Sequence, residues 1–98
     1  MNEPWTDNEL KEAVFAYFKM LRLEMNNTPY IKSETNRNLQ KLLINRNYKS
    51  IEYRWQNISS VLNDNKLPFI KGYKPAKNVG TSVKERIWTI INESGFFD

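Results

Sequence analysis

The spacing of apolar residues constrains the fold of this chain more than any other feature of its sequence. Between residues 50 and 62, four apolar residues follow one another at intervals of three or four: Ile51, Trp55, Ile58 and Leu62. Side chains with this spacing share one face of an α-helix, and an apolar face of that length packs against a core. The segments 7–24 and 82–93 have the same periodicity. We therefore predict an all-α fold, a small bundle of about four helices.

Capping residues indicate where the first and last helices begin and end. Thr6 and Glu9 match a capping box, so the first helix is expected to run from about Asp7 to Glu24, with Trp5 as a hydrophobic staple. The last helix is expected over 82–93, with Thr81 or Ser82 as its N-cap and Gly95 as its C-cap. The two terminal phenylalanines, 96 and 97, are expected to pack back or to meet a partner.

Two helices joined by a short turn are predicted in the middle of the chain. After the break at 26–29, Tyr30 and Ile31 are expected to return to the core. A helix capped by Ser33 follows and ends near residue 45, with its leucines, Leu39, Leu42 and Leu43, on one side. The turn 45–49 then leads to a third helix capped by Ser50. This pattern is helix-turn-helix-like, although an ordinary helical hairpin in a bundle fits it equally well.

Residues 67–77, which we call the basic arm, are predicted to be extended or looped, because Pro68 and Pro75 are incompatible with a helix there. Aromatic residues alternate in this segment with three lysines, Lys71, Lys74 and Lys77. Such a mixture is suited to lying along a phosphate backbone. It is equally typical of a loop pinned to the core by Phe69 and Ile70 with solvated lysines.

The residue types that the sequence lacks exclude most catalytic chemistry. Histidine and cysteine are both absent from the 98 residues. A zinc site, a Ser-His-Asp triad or a histidine general base therefore cannot be built from this chain, and the carboxylates are not clustered. We expect no enzymatic activity, no cofactor, no metal and no small-molecule substrate.

Length and composition indicate a single domain over residues 1–98, which is also compatible with being the N-terminal part of a longer protein. No apolar run of about 20 residues is present, so no membrane partner is expected. The first five residues lack the basic and apolar parts of a secretion signal, and a cytoplasmic location is expected.

The distribution of charge favours a nucleic-acid partner. The net charge is +4, but residues 1–30 hold three basic and five acidic side chains, whereas residues 31–98 hold twelve basic and six acidic ones. Positive charge is thus concentrated where the third helix and the basic arm lie, as expected if phosphate attraction supplies affinity. A solubility bias without a partner is the alternative explanation.

The side of the third helix opposite its apolar face carries hydrogen-bonding side chains rather than the usual Glu and Lys. Gln and Asn are suited to adenine, and basic residues in the turn are suited to phosphate oxygens. Arg54 is ambiguous, since it lies beside the apolar face and is equally suited to pairing with an acidic group of the first helix. The predicted DNA-binding residues are Arg46, Lys49, Tyr53, Gln56, Asn57, Ser60, Lys71, Tyr73, Lys74 and Lys77.

Several runs of the sequence resemble a known family. They are Trp5-Thr6-Asp7-Asn8-Glu9-Leu10, Tyr17, Met20-Leu21-Arg22-Leu23-Glu24, Tyr30, Lys32, Ser50-Ile51-Glu52, Gln56-Asn57-Ile58-Ser59, Val61-Leu62, Leu67-Pro68 and Gly72-Tyr73-Lys74-Pro75. Together they resemble the N-terminal head domain of McrA-like HNH endonucleases, which are type IV restriction enzymes that cleave modified DNA. The likeness reaches Asn78, and Val79 and Gly80 depart from it.

The resemblance implies a helical accessory module that precedes modified-base-recognition and nuclease domains and takes part in DNA binding or domain assembly. An HNH site requires histidines, so any cleavage would belong to another part of a longer protein. The leading hypothesis is a non-catalytic module that binds double-stranded DNA, with or without modified bases. The alternative is a protein-interaction or oligomerisation head that uses Phe96 and Phe97, including a phage inhibitor of host nucleases.

Overall fold

A computed structural model describes residues 4–98 and contains four α-helices in that range. These are α1 (Asp7–Met25), α2 (Lys32–Leu42), α3 (Tyr48–Asp64) and α4 (Thr81–Ser94). Residues 4–98 contain no strand, and the predicted small all-α bundle is confirmed. Within the same range, no helix combines the length and the apolar character that crossing a membrane requires.

The helix ends follow capping chemistry that the sequence indicates only in part. The capping box of Thr6 and Glu9 is present at the start of α1. Helix α3 begins three residues earlier than a Ser50 cap predicts, because Asn47 is its N-cap and forms a reciprocal pair with Ser50. The Oδ1 atom of Asn47 accepts from the Ser50 amide at 2.8 Å, and the Ser50 hydroxyl oxygen accepts from the Asn47 amide at 3.0 Å. Ser50 thus contributes to the cap from inside the helix.

The other predicted caps have mixed outcomes. Helix α2 begins at Lys32, one residue before Ser33, and neither α2 nor α4 has a side-chain N-cap hydrogen bond. Gly80 precedes α4 in place of Ser82 or Thr81 as the N-cap residue. Gly95 is the C-cap of α4 with φ of 69°, a left-handed conformation that glycine adopts without a steric penalty.

The core lies between α1 and α3, each of which contacts the other three helices. Trp55 of α3 is completely buried, and its indole N–H donates to the backbone carbonyl of Ala13 in α1 at 3.0 Å. The two terminal phenylalanines also pack against this core, and the Phe96 ring is stacked on Phe18 at a centroid distance of 4.3 Å. Phe97 meets Phe18 edge-on, so both terminal phenylalanines pack back.

The buried side of α2 differs from the prediction. Leu39 and Leu43 are buried, but the third member of their stripe is Asn36 and not Leu42, which is 65% exposed. The Asn36 side-chain amide donates to the Tyr48 carbonyl at 3.1 Å, which joins α2 to the first turn of α3. A polar residue whose side chain is hydrogen-bonded to the backbone of a neighbouring helix thus occupies a core position. Ile31 is exposed as well, so its expected return to the core is wrong, whereas Tyr30 packs against the core.

The hydroxyl of Tyr17 links three segments inside the core. Its oxygen lies 2.7 Å from the Ser59 hydroxyl oxygen in α3 and accepts a hydrogen bond from the Ile70 amide in the basic arm at 2.9 Å. Burial raises the pKa of Tyr17 to about 12. The neutral phenol is therefore the form that the fold requires.

Replacing Tyr17 with Phe should lower the free energy of unfolding by about 1–3 kcal/mol, because the Ser59 hydroxyl and the Ile70 amide lose a buried partner. Urea denaturation at pH 7 measures this loss. Tyr53→Phe, a matched change at a half-exposed tyrosine, should change stability by less than about 0.5 kcal/mol. Equal losses in the two variants would contradict the role given to Tyr17.

The same pair of proteins tests the pH dependence. Because folding raises the pKa of Tyr17 from its ordinary value of 10.0 to about 12, the folded state holds this proton more tightly than the unfolded chain. The contribution of the protonated Tyr17 hydroxyl to the free energy of unfolding is complete below pH 10 and declines as the pH rises towards 12. Urea denaturation between pH 9 and 11.5 should show a steeper decline for the wild type than for Tyr17→Phe.

Candidate nucleic-acid interface

The first half of α3 forms an exposed surface that includes three of the predicted DNA-binding residues. Lys49 is exposed, Tyr53 is 48% exposed, and Gln56 is half-buried. They lie within about the first two and a half turns of the helix, and Glu52 is their half-buried neighbour. Side chains at the start of a helix-turn-helix recognition helix are the ones that reach base edges. The position of these three residues is therefore suitable for contact with a groove.

Residues 57–62 of α3 are closed to any partner, which corrects the prediction for Asn57 and Ser60. Only 1% of Asn57 and 4% of Ser60 is exposed, and every residue from 57 to 62 is buried. The reason is that α3 is enclosed by α1, α2 and α4, so its buried region is wider than its apolar stripe. Asn57 accepts a hydrogen bond from the Arg54 Nη1 atom at 2.8 Å, a contact inside the protein.

Arg46 is a structural residue, and the prediction that it anchors the turn on a phosphate is wrong. Its side chain is only 7% exposed and forms a two-pronged ion pair with Glu9, at 2.9 Å from Nε and 2.8 Å from Nη2. The Nη2 atom also donates to the Pro4 carbonyl at 3.0 Å. The Arg46 guanidinium holds the pKa of Glu9 below its usual value, although burial opposes this effect. The acidic residue of α1, Glu9, therefore pairs with Arg46 and not with Arg54, whose guanidinium lies over the Trp5 ring.

The basic arm combines a buried side with an exposed side, as expected of a loop pinned to the core by Phe69 and Ile70. Ile70 is fully buried and Phe69 half-buried, while the three lysines of the arm are exposed. Tyr73, in contrast, is only 2% exposed and packs on Trp55 at a centroid distance of 5.3 Å, so its prediction as a DNA contact is wrong. Burial raises the pKa of Tyr73.

Backbone hydrogen bonds fix where the arm lies. The Ala76 amide donates to the Gln56 carbonyl at 3.2 Å, so the arm passes beside the middle of α3. The Lys71 amide donates to a Glu24 carboxylate oxygen at 3.1 Å, which ties the middle of the arm to α1. The structure thus brings the arm together with the exposed part of α3.

Lys32 is a further basic residue at this surface, and the sequence analysis did not include it among the site residues. Its ammonium group lies 4.6 Å from the centre of the Tyr73 ring and donates to the Gly72 carbonyl at 3.3 Å. An alanine Cβ at position 72 would lie 2.6 Å from the Lys32 Nζ atom, so Lys32 lies directly against the arm backbone. Forty positions separate these residues in the sequence, and no local pattern connects them.

No family model, curated protein or solved structure matches this chain. Among residues 4–98, no group of three or more Asp, Glu, His or Cys side chains is arranged to hold a metal ion. The function of the surface is therefore inferred from its own geometry and chemistry.

Replacing Arg46 with Met should lower the free energy of unfolding at pH 7 by about 1.5–3 kcal/mol, the range for hydrogen bonds to charged groups. Folding lowers the pKa of Glu9, so the ion pair contributes fully above the unfolded pKa of about 4.5 and is lost as the pH falls through the folded pKa. The stability difference from the wild type should therefore shrink below pH 4.5. Urea denaturation between pH 7 and 3 measures it.

Arg37→Met is the matched control, because Arg37 is exposed on α2. It should change stability by less than about 0.5 kcal/mol at any pH in this range. A loss that is the same for both arginines, or that does not depend on pH, would contradict the assigned Arg46–Glu9 pair.

Proposed function

We propose that this chain is a non-catalytic module that binds double-stranded DNA. The contacting residues are Lys49, Tyr53 and Gln56 on α3 and Lys71, Lys74 and Lys77 on the basic arm, with Lys32 beside them. The observation that carries the proposal is the hydrogen bond between the Ala76 amide and the Gln56 carbonyl. It supports a composite surface in which phosphate-binding lysines adjoin a helix that is exposed at its N-terminal half.

The exposed part of α3 and the basic arm offer complementary kinds of contact to DNA. Gln56 can form paired hydrogen bonds with adenine in the major groove, whereas lysines bind phosphate oxygens without regard to sequence. Glu52 is the acidic residue in this stretch of α3, and a carboxylate in a groove accepts from cytosine N4. The α2–α3 connection is short, and the Asn36–Tyr48 hydrogen bond fixes the two helices relative to each other. These features favour a helix-turn-helix mode of docking.

The wider setting proposed is a restriction system for modified DNA, in the cytoplasm, with this module preceding further domains. Its support is the resemblance described above. The two most specific runs of that resemblance, 56–59 and 72–75, lie near each other in the fold: Tyr73 packs on Trp55, which precedes the first run, and the amide of Ala76, which follows the second run, donates to the Gln56 carbonyl. However, Asn57 and Ser59 are buried, so part of the likeness reflects packing and not DNA contact.

Titration of a fluorescent 20-base-pair duplex at several salt concentrations tests the proposal. The affinity of the wild type should fall steeply with salt, and each of Lys49→Ala, Lys74→Ala and Lys77→Ala should reduce the slope of log K against log salt by about 0.9. Lys19→Ala, an exposed lysine on α1 away from this surface, is the matched control and should leave the slope unchanged. The absence of binding at 50 mM salt, or equal effects at Lys19 and Lys74, would refute the proposal.

A second candidate function is self-association, which one observation favours. Phe15 is 51% exposed and lines a shallow groove between α1 and α2 together with Leu42, the exposed leucine of α2. Glu12 and Lys19 line the same groove on either side of Phe15. Two copies packed with antiparallel α1 helices would therefore place Glu12 of each beside Lys19 of the other, an arrangement typical of isologous interfaces.

Sedimentation velocity across a concentration series tests this candidate. If two copies pair through the groove, Glu12→Lys and Lys19→Glu should each weaken the dimer, and the double variant should restore it, because the charges are exchanged and remain complementary. Glu34→Lys on α2 serves as a charge-matched control outside the groove. A monomer at all concentrations would exclude self-association and leave the DNA-binding proposal as it stands.

A further inference from the structure

A basic cleft of about 640 Å³ opens beside the first turn of α3. Its lining comes from the N-terminal segment, α1, the α2–α3 linker, α3 and α4, and it includes Trp5, Lys49, Tyr53, Arg54 and Arg86. The cleft is distinct from the basic arm, none of whose residues lines it.

Three guanidinium groups converge on Trp5 in this cleft. Those of Arg46 and Arg54 lie 5.0 and 4.8 Å from the centre of the indole ring, and Arg86 donates to the Trp5 carbonyl at 2.7 Å. Arg46 and Arg86 are paired with carboxylates, those of Glu9 and Asp7. Within residues 4–98, Arg54 has no carboxylate within salt-bridge distance.

The local charge is therefore not balanced. Among residues 4–98, four cationic side chains line the cleft and two carboxylates pair with them, which leaves Arg54 and Lys49 as an excess of two positive charges within that range. Arg54 is largely removed from solvent, which lowers its pKa, with smaller contributions from the charges of Arg46 and Arg86. A guanidinium in this position gains more from an anion than one in open solvent does, because it has already lost part of its hydration.

The hydrogen-bond donors next to Arg54 are also in excess. The Arg54 Nε atom and the Asn57 side-chain nitrogen are buried without an acceptor in residues 4–98. Arg54 Nη1 donates to Asn57 Oδ1. Buried polar groups normally have partners, so this donor-rich pair is a place where a group with several acceptor oxygens would be stabilised by a small rearrangement.

We propose that the cleft binds a phosphate group through the guanidinium of Arg54 and the ammonium group of Lys49. A guanidinium presents a planar set of donors that matches phosphate oxygens, and a lysine adds a mobile point charge. Tyr53, at the same mouth, is placed to contact the sugar or base that carries the phosphate. Where the phosphate belongs to DNA, this inference rests on the function proposed above, and it names one fixed anchoring point for the strand.

The first experiment requires no DNA. Inorganic phosphate is titrated at constant ionic strength against chloride, and NMR follows the Arg54 Nε–Hε signal together with the backbone amide signals of the cleft residues, which are present in every variant. A saturable shift of Arg54 is expected with phosphate. Arg54→Met should weaken the binding about tenfold, which corresponds to the loss of one charge-assisted hydrogen bond.

Lys49→Ala provides a second variant, since Lys49 is exposed and its removal leaves the packing around Trp5 intact. It should weaken phosphate binding severalfold, while Lys19→Ala should not change it. Amide spectra of each variant establish that the fold is retained. An Arg54 signal that responds equally to chloride and phosphate, or that does not respond at all, would overturn the proposal.

Duplexes with and without a 5′-phosphate then distinguish the source of the phosphate. Tighter binding of the 5′-phosphorylated duplex, lost in Arg54→Met, assigns the cleft to a strand end. Equal binding of both duplexes, weakened equally in Arg54→Met, assigns it to a backbone phosphate. Phosphate binding without any DNA binding supports the cleft and refutes the DNA function. DNA binding that Arg54→Met and free phosphate leave unchanged refutes the cleft alone.

Discussion

The buried hydroxyl group of Tyr17 joins the core of the bundle to the basic arm, which carries the exposed lysines. It lies inside the bundle, yet it holds both α3, through Ser59, and the basic arm, through the Ile70 amide. A segment without regular secondary structure would otherwise leave that amide buried and unpaired. Because the same hydroxyl serves both partners, it adds a contact from within the core to the hydrogen bonds of Lys71 and Ala76 that position the arm relative to α1 and α3.

Most of the fold could be predicted because the apolar stripes of α1, α3 and α4 are regular. The errors arose where a polar residue occupies a core position or an apolar one does not. Asn36 takes the place expected of Leu42, and its side-chain amide donates to the Tyr48 carbonyl in the first turn of α3. Asn57 and Ser60 are buried because three helices surround α3, and a helical wheel drawn for one helix cannot show how many neighbours it has.

The candidate site could be predicted only in part, for a related reason. The exposed lysines of the arm and the exposed half of α3 were visible in the sequence, as their types and spacing are local properties. The sequence predicts a phosphate contact for Arg46, because nothing near this arginine in the chain indicates that its ion-pair partner is Glu9, 37 residues away. The cleft around Trp5 is even harder to predict from the sequence, because Arg86, which contacts Trp5, is 81 residues away from it in the chain.

The attachment of the basic arm at Ile70, Lys71, Tyr73 and Ala76 has a thermodynamic consequence. Arms that order only on binding lose conformational entropy at that moment and show a large negative heat-capacity change from coupled folding. Here the backbone is already held in place, so the ordering cost was met when the protein folded. Association through this surface should therefore show a small heat-capacity change that is set by the contact area alone, and an association rate limited by encounter rather than by rearrangement.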